Sequence, residues 1–456
     1  MPRGTDSAHD SRHARDSFAL FSFLWAAAVV FHVGSYDRWT EYWPEVLAAF
    51  WVLARPSSTL AFAVLAAMQV GIAVPVGPGT SNHTLFAAAV AAAVLLSLAV
   101  LVVRGRRFPI DRVELFGAFA PAARWSLVAF YFFAAFHKLN SDWLDPSVSC
   151  GALFYTRERE VFSWLPASGA FTSASIYGSL AFEMAIPLLV ALRPTRHVGV
   201  LTGLVFHWVL ATNPLSGFYN FSSMLFAVFA LFLSGPFVSD AAELLGRGRV
   251  RWASWTLTAV MAGYAFVARP FFEPLVLSSR DMSSFVWCVY GTSLIALLGT
   301  LVLRRPVAVS GDFRNFVLPQ PALAVVPVLV FLNGAAPHLG LQTTANWAMF
   351  SNLRTETGRS NHLLVPARAQ IFNYQRDAVL IVRSSDPYLQ SAARSYIPYF
   401  ELRRRPEASV AYVRRSIHYK FARIADDPEF VPLPPFAASL MVFRPFDRGL
   451  KQACVH

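Results

Sequence analysis

Eleven apolar stretches follow one another along the chain, at residues 18–33, 42–54, 59–76, 84–103, 122–136, 175–192, 198–211, 218–233, 252–267, 284–303 and 322–335. Inside a bilayer, backbone N–H and C=O groups find no water, so a chain built this way must satisfy them within helices. A full crossing takes about 20 residues. The stretches 42–54 and 198–211 are shorter and are expected to be tilted, interrupted or partly re-entrant. Charged residues make up only 14% of the chain and mean hydropathy is +0.45, against about a quarter charged in a soluble domain. The expected fold is therefore an all-α polytopic membrane protein with about 9–11 transmembrane helices.

The polar, basic N-terminus imitates a secretory signal, but no small-residue cleavage site follows the first apolar stretch, which reads as an uncleaved span. The net charge of +12 does not read as nucleic-acid binding, because the arginines sit in loops between apolar stretches. A cytoplasmic N-terminus puts Arg104, Arg106, Arg107, Arg112 and Arg124 on the cytoplasmic side, with 193–197, 247–251 and the loop of Arg304, Arg305 and Arg314. The opposite loops are poorer: 77–83 has no arginine and 269–283 has Arg269 and Arg280. This is the positive-inside pattern, and it requires the short second stretch to cross.

The division expected is a cytoplasmic tail (1–17), a transmembrane domain (18–336) and an extracytoplasmic C-terminal domain (337–456). The last of these has no membrane-length run. "DAVLIVRS", "YIPYFELR" and "SVAYVRRSIHYKFARI" alternate partly and carry β-branched and aromatic residues, which predicts a small β-rich or α+β domain.

Ionisable groups within spans are costly and mark candidate sites. The chain has three lysines, Lys138, Lys420 and Lys451, and Lys138 ends the fifth stretch. Withdrawal from water disfavours an ammonium, and an amine held neutral can act as a general base where arginine cannot. The alternative is an interfacial lysine that snorkels to the headgroups. His83, after Asn82, is either a proton-handling group facing the same outer cavity or part of a helix start. His207 is either a site residue or a packing histidine. Glu183 either pairs with a buried cation or makes a helix-packing hydrogen bond. His137, about 100° round a helix from Lys138, need not face the same way. No cysteine–histidine spacing suggests a metal site. In the expected topology Cys150 and Cys454 both lie outside, which leaves a disulfide between them open.

"YFFAAFHKLNSDWL", with Lys138-Leu139, Asp142 and Trp143, resembles the active-site segment of the vitamin K-dependent gamma-glutamyl carboxylases and of their relatives with the horizontally transferred transmembrane (HTTM) domain. Asn82-His83 in "GTSNHTLF" and Phe206-His207 in "FHWVLATNPLSGFYNFSSMLF" resemble two further motifs of that family. Trp347, Met349 and Asn361-His362 resemble the segment leading into its extramembrane region. The tail here is shorter than in the full carboxylases, His137 replaces a lysine, and Pro146 stands where a glycine-containing turn is usual.

The resemblance implies a lyase in which Lys138 deprotonates reduced vitamin K or menaquinone. Oxygen addition and epoxide formation then generate a base that removes a glutamyl γ-proton, and carbon dioxide captures the carbanion. His83 is implied as a proton-handling partner, with Asn82, Trp143 and His207 around the cavity; the reading of the spans adds Glu183 to that cavity and expects no metal. The implied partners are membrane lipids, the lipid quinol and a secreted peptide or protein substrate, with no nucleic acid. The implied location is the inner (plasma) membrane. The rival expectation is a non-enzymatic HTTM-domain protein that assists maturation or export of a secreted peptide. A transporter would show inverted repeats, and none is evident.

Overall fold

Each apolar stretch carries a helix in the computed structural model, which describes residues 4–215, 217–245, 247–268, 278–304, 316–449, 451 and 454. Residues 1–3 of the N-terminal tail and Arg269, Arg305 and Arg314 lie outside the described residues. The helices of the bundle are α1 (Gly4–Tyr36), α2 (Trp43–Ala54), α3 (Thr59–Val76), α4 (Asn82–Val103), α5 (Arg112–Phe136), α6 (Cys150–Val161) and α7 (Gly169–Ala191). They continue as α8 (Arg196–Ala211), α9 (Tyr219–Ala230), α10 (Gly235–Leu245), α11 (Arg247–Gly263), α12 (Ser279–Arg304) and α13 (Val325–Leu339).

Among the described residues, 6 helices are long and apolar enough to cross a membrane: α1, α4, α5, α7, α12 and α13 with its preceding 3-10 turn. Such a set suggests a multi-pass membrane protein. Apolar but shorter are α2, α3, α8 and α11, while α9 and α10 form one pair bent by 110°. Gly235 and Pro236 open α10, a position where proline's missing N–H costs nothing.

The break orphans carbonyls at the end of α9. Arg124 on α5, 6% exposed, answers one of them: its Nε and Nη2 donate to Leu231 O at 2.8 and 2.6 Å. Arg124→Met should therefore cost about 1.5–3 kcal/mol, the range for hydrogen bonds to charged groups. Denaturant titration in mixed micelles would read this loss, and Arg124→Lys should recover part of it.

Side-chain ties join helix ends in two layers. At one end Asn220 Nδ2 donates to Ser35 Oγ (2.9 Å) and Ser279 Oγ to Gly34 O (3.0 Å). At the other, Ser239 Oγ donates to Asp16 Oδ2 (3.0 Å) and Arg196 Nε to Val190 O (3.1 Å). Helix α13 presses on α5 at Gly334, where a Cβ would lie 2.1 Å from the Phe133 ring. That close approach lets His137 Nε2 bond Gly334 O at 3.0 Å, facing away from the Lys138 side chain.

Beyond Gly340, whose left-handed backbone (φ 83°) ends α13, the chain first weaves into the 137–152 loop. Asn140 and His362 form an isolated bridge, and Ser141 N donates to Asn361 O (3.0 Å) and Leu363 N to Leu139 O (2.8 Å). Between α5 and α7 lies α6, which carries none of the apolar stretches of the sequence and is capped by Ser149 (Gly151 N to Oγ 3.1 Å). The expected sheet follows: β1 (Ala378–Ser384), β2 (Tyr396–Pro398), β3 (Val410–Arg414) and β4 (Ile417–Phe421), antiparallel in the order β2-β1-β3-β4. Val379, Ile381, Ile397 and Tyr412 build its core with Leu402 and Ile424. Cys150 and Cys454 are disulfide-bonded, and Cys288 is free.

Candidate active site around Lys138

Helix α5 stops at Phe136 and tightens through its last turn, Lys138 N donating to Ala135 O at 3.0 Å. The Lys138 side chain folds back along the helix. Its Nζ lies 3.4 Å from Ala134 O and 2.5 Å from Glu183 Oε2 on α7. Both partners are withdrawn from water, with side-chain exposures of 8% and 14%. Nζ also lies over the Trp143 ring at 5.1 Å. Asn140 orients that tryptophan: its Oδ1 accepts Trp143 N (2.8 Å), while its Nδ2 spans His137 O (2.6 Å) and Ser351 O (2.7 Å). Tyr131, two turns earlier on α5, meets His207 Nε2 at 2.5 Å.

These groups enclose a cavity of about 80 Å³ whose wall includes Tyr131, Lys138, Trp143, Glu183, His207, Phe221, Trp347, Met349 and Phe350. Four of the expected site residues thus come together: Lys138, Trp143, Glu183 and His207. Glu183 takes the cation-pairing role of the two left open for it. An amine and a carboxylate at 2.5 Å can store a proton between them and take up another.

His83 and Asn82 do not join this cavity. Phe221 stands between, its ring centroid 6.2 Å from that of His83 and 5.4 Å from that of His207. His83 Nε2 instead meets His32 Nδ1 at 3.1 Å, and Asn82 Oδ1 accepts Trp347 N at 2.7 Å. Asn82 so fixes the segment that carries Trp347 and Met349 to the lysine. In that segment Ala345, Trp347, Phe350 and Asn352 all have left-handed backbones (φ 53–66°), a costly conformation that tends to cluster at functional sites. Sequence reading missed Tyr131, Phe221 and Phe350. Tyr131 had a signal, because its spacing of seven from Lys138 puts both on one helical face.

His362 locks the C-terminal segment beside this site. Its Nε2 donates to Phe136 O (2.9 Å), and its Nδ1 accepts Leu364 N and Val365 N (3.1 Å each), so the ring is neutral with its hydrogen on Nε2. Burial pulls its pKa below the ordinary 6.5, against the opposing pull of the Phe136 carbonyl. Below pH 6.5 the unfolded chain therefore binds a proton that the folded ring refuses, and stability falls as pH falls through that value. Melting curves between pH 7.5 and 5.5 should show this decline, with a shallower slope in His362→Gln.

Among the described residues no group of three His, Cys, Asp or Glu side chains is arranged to hold a metal ion. No family model, no curated protein and no solved structure matches the chain.

Proposed function

We propose that the chain is a polytopic membrane enzyme that uses the Lys138–Glu183 pair as a base toward a lipid quinol of the vitamin K or menaquinone type. The reaction coupled to it in the carboxylase resemblance is gamma-carboxylation of glutamyl residues. One observation carries the reading. Lys138 and Trp143, His207, and Trp347 and Met349 belong to three motifs far apart in sequence, yet all line one buried cavity.

Nζ and Oε2 hold one proton between them. When that proton rests on Oε2, Nζ is a free amine; it takes the quinol's proton and, as an ammonium, stabilises the oxyanion formed beside it. Tyr131 and His207 form a second proton-holding pair in the same wall. When bound, a reduced quinone supplies the reducing equivalents these side chains lack.

The donor set suits a phenolic hydroxyl, but about 80 Å³ is well under the roughly 300 Å³ where ligand pockets begin. The reading therefore requires the wall to move. Phe218, Phe221, Met349 and Phe350 border both this cavity and a cleft of about 370 Å³ beneath the C-terminal region. Their displacement would join the two.

The location proposed is the inner (plasma) membrane, with the N-terminus cytoplasmic and the C-terminal region outside. The shorter helices and the bent pair complete the 9–11 crossings expected from the sequence. Two observations support this orientation. The Cys150–Cys454 disulfide suits an oxidising compartment. Arg104, Arg106, Arg107 and Arg193 follow the ends of α4 and α7 opposite to those near the C-terminal region.

Purified protein in lipid, given reduced menaquinone or vitamin K together with dioxygen as the oxidant, should form the quinone epoxide and water, and folded Lys138→Ala should not. No epoxide from folded wild type with either quinol would reject the enzymatic reading. The alternative is then a non-enzymatic protein that helps an exported peptide mature. The 370 Å³ cleft favours that second reading, since it is far roomier than the lysine cavity and sets the polar side chains of Thr343, Asn346, Tyr388 and Arg444 among its aromatic ones.

A further inference from the structure

A separate cavity of about 380 Å³ opens among α1, α2, α3 and α4, on the His83 side of Phe221. Glu45 of α2 lines it and is only 7% exposed. Its carboxylate makes no hydrogen bond and no ion pair with any described residue. Burying such a group without a partner is expensive, and nothing in its own helix explains it. A glutamate at this position would ordinarily reach back to the backbone N–H of the N-cap residue. Here that residue is Tyr42, and its N–H donates to Arg38 O at 3.0 Å.

The other charged groups and the imidazoles of the cavity are already engaged. Arg38 pairs with Glu41 at 3.5 Å, both half-exposed at the rim, and also reaches Tyr42 Oη at 3.3 Å. His32 and His83 bond each other at 3.1 Å, and Trp25 Nε1 donates to Gln69 Oε1 at 2.7 Å. With the Arg38–Glu41 charges cancelling, one buried carboxyl group remains without a charge partner, in a chamber bordered by Trp25, Tyr36 and Tyr42. Aromatic faces attract cations, and the volume falls within the range of small-ligand sites.

We propose that this cavity binds a small organic monocation, a primary ammonium or guanidinium group, with Glu45 as its counter-ion. The site stands apart from Lys138 and does not depend on the base assigned there. The charged group comes either from a free amine or from a basic side chain of a peptide.

Calorimetric titration of the full-length protein in lipid nanodiscs tests this with butylammonium, its neutral counterpart butanol, and the tripeptide acetyl-Gly-Lys-Gly-amide. Wild type should bind butylammonium at least about tenfold more tightly than butanol, the scale expected from a close buried charge pair. Glu45→Gln should erase that preference while leaving butanol binding unchanged. Tighter binding of the tripeptide than of butylammonium would uphold the site and assign it to a peptide side chain. Weaker binding would uphold it and assign it to a free amine. Equal affinity of wild type for butylammonium and butanol, or no heat from either cation, would overturn the proposal without reliance on any variant. So would a Glu45→Gln protein that keeps the preference.

Discussion

Lys138→Met will destabilise the folded chain by about 3–5 kcal/mol, and adding Glu183→Leu will restore most of that loss. The reasoning starts from exposure. At 8% and 14% exposed, neither charged end is solvated, so each depends on the other. Removing the ammonium leaves a carboxylate buried against Trp143, Tyr131 and Phe206 with its main partner gone, and the penalty is of the size seen for broken buried pairs. Replacing both ends with apolar side chains removes the charge that needed a partner, which is often neutral or stabilising. The single changes should therefore be strongly non-additive, as contacting residues are. Unfolding midpoints of wild type, both single variants and the double variant in mixed micelles would check this. Four additive midpoints would mean that the contact carries no coupling.

The second large effect concerns the Cys150–Cys454 bond. It ties α6 to the far C-terminus across a sequence separation of 304. A long loop closed in this way gives stabilisation of about 2–5 kcal/mol. The local effect bears on the site, because Cys150, Trp143 and Phe350 belong to one apolar cluster against which Cys454 packs. Cys454→Ser should lower the melting temperature and loosen the Trp143 wall over Nζ. Wild type in strong reductant should melt like the variant, and reductant should leave the variant unchanged because Cys288 is unpaired. A wild-type melt insensitive to complete reduction would contradict this.

The bundle was legible because each helix is coded locally by a run of apolar residues. The three strand-bearing segments were legible too, since alternation such as that of "SVAYVRRS" survives in short strands. Helix α6 was not. "CGALFYTREREV" is short and one-third charged, and it declares itself only through the Ser149 cap and its packing on Ile176 of α7.

The site was legible in its members more than in its pairings. Lys138 and Glu183 each stood out as a charge in an apolar run, but their meeting depends on how α5 and α7 pack. Topology predicts depth along a span and says nothing about azimuth. His83 therefore came out at the correct end of the bundle but on the other side of Phe221. Glu45 went unnoticed for a related reason. Near the start of its segment, an acid reads as an interfacial group, and only the packed helices reveal that it is buried.

The central claim is that Lys138 serves as a base and not merely as a cation. Lys138→Arg separates the two, because a guanidinium keeps the positive charge and the pairing with Glu183 but does not give up its proton at any working pH. The measurement is epoxide formation from reduced menaquinone or vitamin K by this variant in lipid, beside wild type, with unfolding midpoints taken on the same samples. The account predicts a variant close to wild type in stability with turnover reduced to background. A folded Lys138→Arg protein that turns over quinol at the wild-type rate would contradict it.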